Sequence, residues 1–127
     1  MPIAYRIDPE LHRIFTSCSG NTTLHEVIAH FGELEIDPEC PAGADVLLDL
    51  SGMTSIPNVG QMRTAAERAG EAARTVRFGA IAVVAASEAI FGMARVFETF
   101  TERHFARSGV FRSREAAEKW LDGPASH

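Results

Sequence analysis

Apolar residues recur along this chain in two rhythms, a period of about two in short runs and of about 3.6 in longer ones, and the two alternate. Ile3 to Ile7 and Leu11 to Cys18 read as β-segments, and Asp8-Pro9 between them supplies turn chemistry, which predicts an opening β-hairpin. Thr23 and Glu26 stand at capping-box spacing ahead of Leu24, Val27, Ile28 and Phe31, so a first helix starts near Thr23. Pro38, Pro41 and Gly43 mark a connecting loop before Asp45 to Ser51, whose short apolar run suits a strand covered on both faces. From about Asn58 to Thr75 the pattern is helical, and Arg77 to Ala85 returns to that of a buried strand. Ser87 can cap a third helix running to about Phe105, Gly109 to Ser113 reads as a short strand, and Ser113 caps a last helix through Leu121.

The order is thus β-β-α-β-α-β-α-β-α. Strands that alternate with helices after an initial hairpin require crossovers, so the fold class is α/β with a mixed, mostly parallel sheet. A chain of 127 residues suits one domain, with a core over about 3–121 and a tail from 122 to 127 expected to fray. Hydrophobic residues make up 46% and charged residues 23%, the balance of a globular chain. A formal charge of -5 with only 12 Lys and Arg argues against nucleic acid, which needs a concentrated basic face. Cys18 and Cys40 show neither metal-site spacing nor the density of a disulfide scaffold. The first ten residues lack a signal-peptide pattern, and no apolar run is long enough for a membrane span, so a cytoplasmic protein is expected.

Between the central strand and the second helix lie Ser51, Gly52, Thr54, Ser55 and Asn58, at the end of the sheet where open α/β folds gather ligands. A helix N-terminus there could hold an anion through its free N–H groups. The competing reading makes Asn58 the N-cap and Gln61 the N3 partner of a variant capping box. No phosphate-binding or nucleophile-elbow glycine pattern occurs in the loop.

The stretch "VLLDLSGMTSIPNVGQM" with its element order resembles the STAS domain of anti-sigma-factor antagonists, in which "DLSGV" precedes an Ile-Asp-Ser-Ser-Gly turn at the helix start. Aligning Ile56 and Gly60 with that turn puts Pro57 at the aspartate, Asn58 at the serine that is the phosphorylation switch and Val59 at the second serine. The resemblance therefore implies the fold without the switch, since asparagine accepts no phosphoryl group. "AIAVVAASEAIFGMARVFETF" and "VFRSREAAEKWL" are similar to a divergent branch of small bacterial STAS-like proteins that also resembles the CRAL-TRIO lipid-transfer fold, over about Tyr5 to Leu121.

On the third helix, Ile90, Phe91, Met93, Ala94, Val96, Phe97, Phe100 and Phe105 spread over more than half the circumference, wider than the stripe of an ordinary surface helix. Burial on two sides is expected, with a homodimer interface at Phe91, Met93, Phe97 and Phe100 as the economical explanation and cover by the rest of the monomer as the alternative. Met62, Ala65, Ala66, Ala69, Ala72 and Ala73 give the second helix a face of mostly small side chains, which permits close packing or leaves room for a ligand.

Candidate chemistry is sparse. His25 and His30 are five apart, about 140° round a helix, so they lack the shared face of a zinc-binding HExxH pair and are expected at the surface or half buried. His104 could be a buried, hydrogen-bonded histidine at an interface, neither cysteine has an activating neighbour, and Asp49 is expected to bond loop backbone. No metal, cofactor or catalytic constellation is expected. The residues point to a non-enzymatic interaction module, homodimeric and with a protein partner. The alternative is a carrier or sensor of a small apolar or anionic ligand held between the second and third helices, its polar end near Ser51, Thr54 and Asn58.

Overall fold

A computed structural model describes residues 3–123. The elements follow the expected order: β1 (Ile3–Asp8), β2 (Arg13–Gly20), α1 (Leu24–Ile36), β3 (Asp45–Met53), α2 (Val59–Val76), β4 (Ala80–Val84), α3 (Glu88–Thr101), β5 (Arg107–Phe111) and α4 (Arg114–Asp122). β1 pairs antiparallel with β2, and β2 to β5 run parallel in sequential order, giving one five-stranded mixed sheet.

Sequential order has a geometric consequence. Parallel crossovers share one hand, so three successive connections that each step to the next strand must lay their helices on the same side. α1, α2 and α3 accordingly form a row on one face, with α2 in the middle touching both neighbours, while α4 alone packs on the other face against β3, β4 and β5. Strand alternation divides the core to match. Ile14, Val46, Ile81 and Val83 face the three helices, whereas Phe15, Leu47, Ala80, Ala82 and Val84 face α4. β4 carries cover on both sides and all five of its residues are buried, as its continuous apolar run requires.

The helix starts are the ones the caps specify. Thr23 and Glu26 form a capping box on α1, Asn58 and Gln61 one on α2, and Ser87 and Ser113 each accept an N–H of α3 and α4. The middle helix is narrow where it must be: Ala65, Ala66, Ala69, Ala72 and Ala73 are buried, and a Cβ on Gly70 would come within 2.8 Å of the His104 ring. His104 is half buried against α2. A Glu35–Arg68 ion pair ties α1 to α2.

Several boundaries differ from the sequence reading, among them β2 at Arg13–Gly20 and the start of β4 at Ala80, and three others have a tertiary reason. β3 continues past the expected Ser51 to Met53, because a bulge that sets Leu50 and Ser51 opposite Cys18 lets Ser19 pair with Gly52 and Gly20 with Met53. α3 stops at Thr101 because the chain turns back to stack Phe105 on Phe78, ring centroids 5.6 Å apart. β5 begins at Arg107, which pairs with Ala80 and lays its guanidinium 4.2 Å from the Trp120 ring centre. At the chain end, Asp122 closes α4 and bonds the buried Arg13 at 2.8 Å, while 124–127 of the expected fraying tail lie outside the described residues.

The entry to β4 is the tightest junction. Asp45 Oδ1 accepts the Ala80 N–H at 2.8 Å, and a Cβ on Gly79 would sit 2.5 Å from that oxygen and 2.9 Å from the Gly43 carbonyl oxygen. Gly79→Ala is therefore expected to cost about 2 kcal/mol, through overpacking and a strained buried hydrogen bond. Urea denaturation checks it, and an unchanged midpoint would mean that the junction yields freely.

Candidate functional site

The end of β3 and the loop after it bond several of their own polar groups. Asp49 Oδ1 accepts both the Ser51 N–H at 2.9 Å and the Ser51 hydroxyl at 2.6 Å, the backbone-shaping role expected of Asp49. Thr54 is exposed, and its N–H donates to the Gly20 carbonyl at 2.9 Å. Asn58 Oδ1 accepts the Gln61 N–H at 2.8 Å, and Gln61 Oε1 accepts the Asn58 N–H at 2.9 Å. The positive end of α2 is thus partly closed by its own cap.

Immediately behind this loop is a cavity of about 230 Å³, walled by β1, β2, β3, α1, α2 and α3. The inner wall is apolar, with Val27 and Phe31 from α1, Leu48 and Leu50 from β3, Met62 and Ala65 from α2, and Ala94 and Phe97 from α3. Its rim includes the exposed Asn21, Thr23 and Ile56, the last 61% accessible. Ser51, Thr54 and Asn58 do not line it; Met53, Ser55, Ile56, Pro57 and Gln61 do. Extended backbone explains the exchange, since alternate residues face opposite ways and Met53 and Ser55 turn inward while Thr54 turns out.

His30 stands in the wall with only 4% of its surface accessible. The sequence reading placed it at the surface or half buried; it is buried because it follows Val27 by one helical turn and precedes Phe31 on the core side of α1, whereas His25 faces solvent. Its Nε2 and the Thr16 hydroxyl are 3.2 Å apart, its ring meets Tyr5 and Phe31, each at 5.3 Å, and its Nδ1 is buried without a partner among the described residues. Burial pushes its pKa from the ordinary 6.5 down to about 4, so the imidazole is neutral near pH 7. Cys18, also in the wall, is pushed up to about 12 by burial first and then by Asp49 and Glu26, which leaves a protonated, unreactive thiol. Burial and Asp37 likewise raise Cys40.

The third helix divides its apolar residues between three surroundings. Phe97 and Ala94 are buried on the cavity side. Phe91 and Phe100 are half buried, Phe91 beneath the Arg112 guanidinium at 4.0 Å and Phe100 beneath Arg63 at 5.3 Å. Met93 and Val96 are half buried with no such lid described. Much of the width of this face is therefore taken up by the monomer itself. Among the described residues, no three His, Cys, Asp or Glu side chains gather as a metal centre needs, and no helix is long and apolar enough to cross a membrane.

Fold and site together define an α/β domain with a mixed five-stranded sheet, one layer of three helices and a cavity at the carboxyl end of the central strand. No protein-family model matches this chain, and no curated protein does.

Proposed function

We propose that this is a non-enzymatic, STAS-like regulatory module that binds a small, mostly apolar molecule in the cavity beneath the β3–α2 loop. The cavity carries the reading: a void of about 230 Å³ is far larger than a packing defect, and it opens at an exposed isoleucine. Two features of the loop support it. Asn58 stands where the STAS resemblance expects the switch serine, which points away from phosphorylation as the input. The α2 cap takes up the Gln61 N–H, one of those an anion would need, which favours an apolar ligand over an anionic one.

A thermal-shift series with uncharged compounds of roughly ten non-hydrogen atoms, sized against the benzene that fits a 150 Å³ cavity, tests the proposal. The wild-type midpoint should rise with at least one of them, whereas Ala65→Leu, which fills the cavity from α2, should bind none. Absence of any shift across the series would remove the reading. A second reading, a homodimer joined through α3 that meets a protein partner, draws on the half-exposed Met93 and Val96. Native mass spectrometry tests it, a monomer at micromolar concentration counting against it.

A further inference from the structure

The polar part of the cavity wall narrows the ligand class, given the ligand-binding reading above. Most of its hydrogen-bonding groups are committed elsewhere. Gln61 is locked into the α2 cap, Thr23 bonds Glu26, and the Ser55 hydroxyl donates to the Thr22 carbonyl at 3.1 Å. His30, in the wall, differs: one ring nitrogen meets Thr16 and the other, with almost no accessible surface, has no partner among the described residues, so a ligand meets it only by moving the wall beside it. A buried polar atom left unpaired is costly, and a group that pairs with it recovers that cost on binding.

Among the described residues, no Asp, Glu, Lys or Arg lines the cavity. A carboxylate or ammonium drawn inside would lose its water without gaining a counter-ion, which excludes charged ligands far more strongly than a missing methylene excludes a short one. We infer that the ligand is uncharged, with a compact apolar body and a single hydroxyl or ketone group that bonds His30. The Thr16 hydroxyl can donate to or accept from Nε2, so the imidazole can present Nδ1 as acceptor or donor, and alcohols and ketones both suit. The neutral imidazole provides both roles, and the protonated Cys18 adds no covalent chemistry.

Four probes of nearly equal size separate the ideas: propylbenzene, propiophenone, 1-phenylpropanol and 3-phenylpropanoate, titrated at pH 7.5 into the wild type and into His30→Phe, with ¹⁵N NMR of the imidazole nitrogens. The ketone or the alcohol should bind about tenfold more tightly than the hydrocarbon to the wild type and shift a His30 ring nitrogen; in His30→Phe that advantage should vanish while the hydrocarbon still binds. If His30→Phe does not fold, His30→Gln, which keeps a hydrogen-bonding group, should retain part of the preference, and the wild-type ¹⁵N shift decides independently. Equal affinity for propylbenzene and its oxygenated analogues, tighter binding of the carboxylate, or an unmoved His30 nitrogen would overturn the inference while leaving ligand binding intact. Failure of all four probes, propylbenzene included, would overturn both.

Discussion

Phe31→Ala is expected to lower the unfolding free energy by about 3–5 kcal/mol, the range for deleting a buried aromatic ring. Phe31 is 2% accessible and is among the largest fully buried side chains in the molecule. What sets the cost within that range is how far the surroundings can close. Here closure is opposed from several directions. α1 is held at its start by the Thr23–Glu26 box and near its end by the Tyr5 hydroxyl, which donates to Asp37 at 2.7 Å. Across the gap, α2 offers Ala65 and other alanines that have no length to swing inward. The ring already borders the 230 Å³ cavity, so its removal enlarges an existing void. Urea denaturation measures the loss, and saturating benzene should restore part of it by occupying the enlarged space. A loss below about 1 kcal/mol would mean that α1 settles onto the sheet and that the helix layer is softer than its caps imply.

How much of this was legible in the sequence depends on the range of the interaction concerned. Caps act within four residues, so Thr23, Asn58, Ser87 and Ser113 could be identified from spacing alone, and with them the four helix starts. The extension of β3 through Gly52 to Met53 could not, because it depends on pairing, past a bulge, with β2 residues more than thirty positions away. The breadth of the apolar face on α3 was visible, but its covering by Arg63 and Arg112 requires knowing which helix and which loop lie alongside. The cavity is hardest of all, since it is volume left over among six elements and no single segment encodes it. Its key side chain did leave a trace. His30 sits on the apolar stripe of α1 between Val27 and Leu34, and that placement signals burial more directly than its spacing from His25 signals anything about zinc.

Acid should expose the same histidine thermodynamically. The unfolded chain takes a proton on His30 near its ordinary pKa of 6.5, whereas burial holds the folded value near 4. Between those values the unfolded state binds more protons, so stability is fully present above pH 6.5 and falls as pH is lowered through this window, by about 1.4 kcal/mol per pH unit and about 3 kcal/mol in all. Below pH 4 both states carry the proton and the loss levels off. The groups that meet the ring do not blur the window: Thr16 and Phe31 do not titrate, and Tyr5, raised to about 12 by burial and by Asp37, ionises far above it. Other groups contribute to both profiles, so the decisive quantity is the difference between the profiles of the wild type and His30→Phe, measured by urea denaturation from pH 7.5 to 4. The wild type should show the steeper decline through this interval. Parallel profiles would mean that water reaches the unpaired nitrogen and solvates its charge, in which case the ring is no dry hydrogen-bonding group and an uncharged alcohol or ketone gains little by reaching it.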